Sequence, residues 1–214
     1  MRPEIVRIHA AEPEPSLVNY VAERIRQGNV VGLPTDTFYG LAADPYNLRA
    51  VELIYEIKER SRHKPLSLLI ESVEQAEEMT CSLPDEFHLL AEKFWPGPLT
   101  IIVKAASRLP LKVTANSGNI AVRMPASLVA LAVVRAVGHP VTATSANLSG
   151  RPECTTAEAV ATQLGQYVHL VADGGLTPRG VPTTIVNLSE AGRWHLQREG
   201  AVPTSAIEDL LGDQ

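Results

Sequence analysis

The chain has 214 residues, 45% of them hydrophobic, and a formal net charge of −5. This composition is typical of a folded water-soluble domain, and the negative charge argues against a surface that binds nucleic acid as a whole, although a local basic groove stays open. No apolar run reaches membrane-spanning length and residues 1–10 do not resemble a signal peptide, so we expect no membrane association and a cytoplasmic location. Neither Cys81 and Cys154 nor the scattered histidines have metal-ligand spacing, so we expect no metal site built from protein side chains.

Strand and helix signals alternate along the whole chain. Strands are predicted at 5–8, 29–33, 66–70, 99–103, 120–124, 141–144, 167–171, 184–188 and 194–197. Helices are predicted at about 16–27, 47–58 and 84–94, from 127 to 138, and after residues 72, 155 and 205. The expected helix caps are Ser16, Asn47, Ser72, Ser127, Thr155 and Ser205. The alternation predicts one α/β domain over residues 1–214, with a mixed sheet flanked by helices.

A polar loop, Pro34-Thr35-Asp36-Thr37-Phe38-Tyr39-Gly40, follows directly after a predicted buried strand. Ligands of α/β proteins usually bind where strands end, so the loop is a candidate binding element. The alternative is a structural turn in which Asp36 bonds to the local backbone.

A run of cations follows the second long helix. Lys58, Arg60, Arg62 and Lys64 lie within seven residues that contain a single carboxylate. Cations near a helix C-terminus also stabilise the helix dipole. In an acidic protein, however, an almost purely positive run favours anion binding, because Arg can bind a phosphate with two hydrogen bonds and Lys supplies a point charge.

Arg123 lies inside the apolar strand Ile120-Ala121-Val122-Arg123-Met124. A charge there is unfavourable unless it is paired or faces a cleft. The sequence leaves two interpretations equally open, namely a salt bridge to a nearby carboxylate and an anion-binding residue on the floor of a pocket.

Residues 141–150 place many small hydroxyl and amide groups after an apolar strand entry, and these are Thr142, Thr144, Ser145, Asn147 and Ser149. Such neutral donors and acceptors suit phosphate, carboxylate or ribose oxygens, whereas the alternative is a simple turn. Three further segments, each unspecific alone, are Asp173-Gly174-Gly175, Thr183-Thr184 and Arg198-Glu199-Gly200.

Taken together and in this order, the segments resemble the YrdC-like family of threonylcarbamoyl-AMP synthases, in its short single-domain form. The resemblance covers residues 16–202, and the motifs that carry it are 34–41, Lys58-x-Arg60, Lys64-Pro65-Leu66, 95–100, 121–125, Ser145-x-Asn147 and 173–175. It implies a twisted mixed sheet around a large, positively lined cavity.

The resemblance also implies a reaction. L-threonine, bicarbonate and ATP, with Mg²⁺ carried by the ATP, would give L-threonylcarbamoyladenylate and pyrophosphate. The product would feed N6-threonylcarbamoylation of adenosine 37 in tRNA through a threonylcarbamoyl transferase complex, and tRNA or double-stranded RNA is a further expected partner.

Residue roles follow from the same resemblance. The expected catalytic residues are Lys58 and Arg60. The expected ATP-binding residues are Lys58, Arg60, Lys64, Thr144, Ser145, Asn147 and Arg198. The expected contacts of the threonine or carbamate are Thr35, Arg123 and Thr183.

The chain departs from the usual family pattern in its C-terminal third. Thr183-Thr184 stands where Ser-Thr is common, Asn187 where Asp is common, and Glu199 where Pro is common. Paralogues of the YciO type share some of these features but tend to lose Ser-x-Asn and Lys-x-Arg, which this chain keeps. The alternatives to the synthase are therefore a YciO-type paralogue with a different amine substrate and an RNA-binding module that uses the same basic cavity.

Overall fold

A computed structural model describes residues 2–59, 65–107, 109–190 and 192–212. The strands are β1 (Glu4–Arg7), β2 (Val31–Leu33), β3 (Gly40–Ala42), β4 (Ser67–Leu69), β5 (Leu99–Lys104), β6 (Asn119–Arg123), β7 (Val141–Ser145), β8 (Leu170–Asp173), β9 (Thr184–Asn187) and β10 (His195–Arg198). The helices are α1 (Pro15–Arg26), α2 (Leu48–Ile57), α3 (Val73–Met79), α4 (Asp85–Phe94), α5 (Leu111–Thr114), α6 (Leu128–Val137), α7 (Ala157–Leu164) and α8 (Thr204–Leu211).

The strands form one mixed sheet in the order β1-β8-β2-β3-β7-β4-β6-β5-β9-β10. Strand β8 pairs in parallel with β1 and β2, and the pairs β4–β6 and β5–β9 are also parallel. The other neighbours, including β3 between β2 and β7, run antiparallel. The predicted α/β class with a mixed sheet is confirmed.

Helices cover both faces of the sheet because successive strand residues point to opposite sides. On one face, α1 and α6 pack through residues such as Val21, Ile25 and Val133 against Val31 and Leu33 of β2. On the other face, a second core joins the remaining helices to the sheet, with Ile54, Phe87, Val122, Val171 and Ile207 among its members.

Three of the predicted helix caps are confirmed. The Asn47 Oδ1 accepts hydrogen bonds from the backbone N–H groups of Arg49 and Ala50. The hydroxyls of Ser72 and Ser127 cap α3 and α6 in the same way, each accepting from the backbone N–H three residues further on. Gly138, with a φ of +86°, then follows α6, as the sequence predicts.

The other three predicted caps are wrong. Helix α1 begins at Pro15 instead of after Ser16, because proline's fixed φ suits the first helical position. Thr156 caps α7 in place of Thr155, whose carbonyl instead accepts the Thr177 N–H at 2.9 Å. Pro203 precedes α8, so Ser205 lies inside the helix.

Two short elements have no counterpart in the predicted pattern, namely β3 and α5. Strand β8 also begins later than predicted, because the N–H groups of Tyr167 and Val168 still bond to the Leu164 carbonyl at the end of α7. Among the helices that the structure describes, none has both the length and the apolar character needed to span a bilayer.

Candidate functional site

A pocket of about 190 Å³ extends along the sheet from β3 to the edge strand β10. Seven strands that are consecutive in the sheet, from β3 to β10, each contribute at least one lining residue. Six of the predicted site residues line it, and these are Thr35, Arg123, Thr144, Ser145, Thr183 and Arg198. The fold therefore unites residues that are up to 163 positions apart, from Thr35 to Arg198.

The loop 34–39 joins β2 to β3 as a hairpin. Its Thr35 hydroxyl donates to the Phe38 carbonyl at 2.6 Å and accepts from the Thr37 N–H at 3.2 Å. The backbone of Tyr39 donates to the Cys154 carbonyl at 2.9 Å and accepts from the Ala146 N–H at 2.7 Å. These bonds fix the loop in place, so its hydroxyls are preorganised on the pocket wall.

Arg123 lines the pocket and also forms a salt bridge with Asp36. The two positions that the sequence leaves open, beside a carboxylate and in a pocket, therefore hold together. One guanidinium nitrogen donates to the Asp36 Oδ1 at 2.5 Å, a second to the Thr37 Oγ1 at 3.1 Å, and the Nε to the Gly97 carbonyl at 3.0 Å. Burial lowers the pKa of Arg123 and the Asp36 charge opposes that change. A guanidinium has five N–H donors, so two are left that could bind an anion.

Thr144 and Ser145 end β7 beside the hairpin, where Ser145 lies opposite Gly40 and Thr144 opposite Leu41. The Ser145 hydroxyl donates to the Asn147 Oδ1 at 2.6 Å. Asn147 itself is buried, is not part of the pocket lining, and donates its amide N–H to the Arg151 carbonyl at 2.6 Å. It therefore supports Ser145 from behind.

Lys58, the first residue after α2, lies behind the same strand end. Its ammonium donates to the carbonyls of Ser145 and Asn147, each at 2.7 Å, and to the Asn147 Oδ1 at 2.5 Å. Lys58 is buried and does not line the pocket. In this arrangement its ammonium supports the end of β7 that carries Ser145. Nearby, burial raises the pKa of the Cys154 thiol to about 11, with Lys58 acting in the opposite direction, so the thiol is uncharged at neutral pH.

Arg198 forms the opposite wall together with Thr183. Its Nε and one terminal nitrogen donate to the Thr183 carbonyl at 3.1 and 2.8 Å, and the same terminal nitrogen lies 2.9 Å from the Thr183 Oγ1. That hydroxyl also accepts from the Thr100 Oγ1 at 3.2 Å. Partial burial of the guanidinium lowers the pKa of Arg198, and the nearby carboxylate of Glu153 opposes that change.

Several pocket residues were assigned no role from sequence. Thr37 and Thr100 lie in the motifs 34–41 and 95–100. The Thr37 hydroxyl accepts a hydrogen bond from Arg123, and the Thr100 hydroxyl donates one to Thr183. Glu153, an exposed carboxylate at the pocket, had no sequence signal. The buried Tyr39 donates its hydroxyl to the Gly175 carbonyl at 2.7 Å, and burial, followed by the Asp173 charge, raises its pKa.

Two predicted residues, Arg60 and Lys64, lie outside the described residues. The charged side chains among the described lining residues are Arg123, Arg198 and Glu153. The large, positively lined cavity therefore stays a prediction. Among the residues that the structure describes, no group of three or more His, Cys, Asp or Glu side chains could hold a metal ion.

A family model named Sua5_yciO_yrdC, described as "Telomere recombination", matches residues 23–200. The chain belongs to the Sua5/YciO/YrdC family. The family assignment expected from the ordered motifs is thereby confirmed, with the match covering nearly the whole chain.

The chain is similar to proteins named threonylcarbamoyl-AMP synthase from several organisms. It is 38% identical to one from Pyrococcus abyssi over 198 residues, which is 92% of this chain and 57% of that protein. It is 39% identical to one from Bacillus subtilis over 192 residues, which is 89% of this chain and 55% of that protein. The chain thus spans little more than half the length of these two relatives. A shorter relative from Aliivibrio fischeri is 37% identical, with 78% of this chain and 92% of that protein covered.

Solved structures of the family share the fold. Pyrococcus abyssi Sua5 complexed with L-threonine has a TM-score of 0.93 at 36% identity, covering 97% of this chain and 61% of that one. Escherichia coli YciO has a TM-score of 0.87 at 25% identity, covering 96% of this chain and 99% of that one.

Proposed function

We propose that this chain forms L-threonylcarbamoyladenylate and pyrophosphate from L-threonine, bicarbonate and ATP. The observation that carries the proposal is the single pocket in which Arg123, Ser145, Thr183 and Arg198 meet. Relatives named threonylcarbamoyl-AMP synthase support it, as does the L-threonine complex of the Pyrococcus abyssi protein.

The reaction joins three substrates through two bond-forming steps. The threonine amine and bicarbonate combine to a carbamate with loss of water. A carbamate oxygen then attacks the α-phosphorus of ATP, and the bond between that phosphorus and the pyrophosphate oxygen breaks. Such a reaction depends mainly on positioning and charge neutralisation, which suits a pocket of arginines and hydroxyls.

The amino acid would bind between Arg123 and Thr183. The two remaining N–H donors of Arg123 suit its carboxylate. The Thr183 hydroxyl accepts from both Arg198 and Thr100, which leaves its own hydrogen to donate to a carboxylate or carbamate oxygen. The Thr35 hydroxyl donates its hydrogen to the Phe38 carbonyl and lies 3.1 Å from the Thr37 hydroxyl. If the Thr37 hydroxyl turned toward the ligand, the Thr35 oxygen would be free to accept a hydrogen bond, for example from the substrate amine.

The nucleotide would bind where Thr144, Ser145 and Arg198 line the pocket. Lys58 and Asn147 would hold Ser145, and Lys58, with Arg60 and Lys64, would neutralise the phosphates. We propose that Mg²⁺ arrives with the ATP, where it would screen the phosphate charge. We further propose a cytoplasmic location and transfer of the product to a threonylcarbamoyl transferase complex that acts on tRNA adenosine 37.

An assay of pyrophosphate release tests the function. We expect release, together with a threonine-containing adenylate, only when ATP, Mg²⁺, L-threonine and bicarbonate are all present. Absence of that adenylate from a folded protein that binds ATP would refute the proposal.

Two further measurements separate the alternatives. In a thermal-shift screen with ATP present, L-threonine should raise the melting temperature more than serine or valine does. A larger shift with another amine would favour a YciO-type paralogue. RNA binding that weakens steeply with salt, without any adenylate product, favours the RNA-binding module.

A further inference from the structure

Within the described part of the chain, hydrogen bonds reach only one of the two carboxylate oxygens of Asp36. Its Oδ1 accepts from Arg123 at 2.5 Å and from the Ala126 N–H at 3.0 Å. Its Oδ2 is buried and accepts no hydrogen bond from the residues that the structure describes. Asp36 is only 5% exposed, so bulk solvent does not reach this oxygen. A buried polar atom without a hydrogen-bond partner is unfavourable and rare, so a cation close to it is a candidate partner.

Arg179 is the cation that faces this oxygen. Its Nε lies 3.9 Å from the Asp36 Oδ2, too far for a hydrogen bond, and its side chain is 47% exposed. It belongs to the segment 174–183, which connects β8 to β9 and ends in the pocket residues Pro182 and Thr183.

The segment is fixed on both sides of Arg179. On one side the Gly175 carbonyl accepts from the Tyr39 hydroxyl at 2.7 Å, and the Thr177 N–H donates to the Thr155 carbonyl at 2.9 Å. On the other side the Pro182 carbonyl accepts from the Ala201 N–H at 2.9 Å. A movement of about 1 Å by the Arg179 side chain would close the gap to a hydrogen bond, and a half-exposed side chain can make it without moving these attachments.

We propose that Arg179 is a positioning residue of the pocket, which pairs with the Asp36 Oδ2 and thereby leaves the charge of Arg123 available to the carboxylate of the amino-acid substrate. With Arg179 in place, two guanidinium groups share one carboxylate, so this wall carries a net positive charge. Without Arg179, the negative charge of Asp36 balances the positive charge of Arg123. The electrostatic attraction of Arg123 for the substrate carboxylate is then weaker.

This role rests on the proposed function, in which Arg123 binds the threonine carboxylate. Arg179 is not among the residues that line the pocket, so we expect its effect to act through Arg123, to fall on threonine and to spare ATP. A merely structural role would affect both ligands.

Binding measurements on Arg179→Ala test the role. We expect the Kd of L-threonine, with ATP present, to rise about fivefold, while the Kd of ATP stays within about twofold. Arg179→Lys, which keeps the charge, should recover part of the threonine affinity. Arg193→Ala, at an exposed arginine outside the pocket lining, is the matched control and should change neither constant. Equal losses for both ligands, or no loss of threonine affinity, would overturn the assignment.

A ligand-free experiment keeps the two proposals separate. Arg179→Glu places a carboxylate beside Asp36 and should lower the melting temperature more than Arg193→Glu does, with the difference shrinking at high salt. If the two charge reversals behave alike at all salt concentrations, Arg179 does not interact with Asp36 and the inference fails. If the unsubstituted chain binds ATP but no L-threonine while the charge-reversal difference is present, the proposed function fails and the pairing with Asp36 stands.

Discussion

The two arginines of the pocket are held in contrasting ways. Arg123 is buried and bonds to three residues from different parts of the chain, including the carboxylate of Asp36. Arg198 belongs to an exposed strand at the sheet edge, and among the described residues its hydrogen bonds all go to Thr183. Arg123 is therefore part of the buried interior of the protein, whereas Arg198 lies at its surface. Substitutions around Arg123 should therefore affect folding first, and those at Arg198 should affect binding first.

The largest expected effect is that of Asp36→Ala. It leaves the Arg123 charge buried without its partner, which should lower the free energy of unfolding by about 3–5 kcal/mol. Urea denaturation followed by circular dichroism measures this loss. Arg135→Ala is the matched control, because it breaks the ion pair with Glu71 from the side of an arginine that is 73% exposed and should cost about 1 kcal/mol or less. Similar losses of unfolding free energy for the two variants would show that the buried pair contributes no more than an exposed one.

Arg198→Ala should separate binding from folding. The guanidinium contacts only Thr183 through hydrogen bonds to residues that the structure describes, so the midpoint of urea unfolding should change little. The Kd of ATP should rise about tenfold or more, because charge-assisted hydrogen bonds to phosphate are lost. Calorimetric titration with ATP measures the change, and unaltered affinity would remove Arg198 from the nucleotide site.

Asn147→Ala should lie between these two cases. The amide accepts from Lys58 and Ser145 and donates to Arg151, and it is buried. Its removal should lower the free energy of unfolding by about 1–3 kcal/mol and should also weaken ATP binding, because Ser145 loses its support. Asn147→Asp keeps the oxygen that accepts from Lys58 and Ser145 and should retain more stability than Asn147→Ala, although it loses the donor to the Arg151 carbonyl. A loss of ATP affinity with full stability would instead indicate that Asn147 contacts the nucleotide directly.

The smallest expected effect is that of Glu153→Gln. The Glu153 carboxylate lines the pocket and acts on Arg198 through its charge. Neutralising it removes repulsion of the triphosphate, so ATP should bind about two- to threefold more tightly at low salt. The gain should disappear in 0.5 M NaCl, as a titration at both salt concentrations can show, and a loss of affinity would argue that Glu153 takes part in the reaction.

The sequence is a good guide to which segments come together at the site. It is a poorer guide to the hydrogen bonds that their side chains form. The loop 34–40, Arg123 and the Ser145 segment could be assigned to one site because ordered motifs mark them. That Arg123 both pairs and faces the pocket could not be foreseen, since its partner Asp36 lies 87 residues away in sequence. The sequence also places a cation at Lys58 without indicating that its ammonium is turned toward the backbone of Ser145 and Asn147.

Local errors have the same origin. The three residues of β3 carry too short a pattern to predict a strand, and their pairing with β2 and β7 decides the outcome. Thr155 and Thr156 are chemically equal candidates for a cap, and the contact between Thr155 and the distant Thr177 selects the second. Long-range pairing therefore decides those choices that local propensity leaves equal.

The hairpin between β2 and β3 also constrains how this protein can change in evolution. Each of its strands is held on its outer side as well, β2 by β8 and β3 by β7. Leu41 packs in one core and Ala42 in the other, so a slip of β3 by one residue would exchange their environments. An insertion or a deletion in the loop 34–39 would displace β3 against both neighbouring strands, so the length of this loop is constrained as well as the identity of its buried residues.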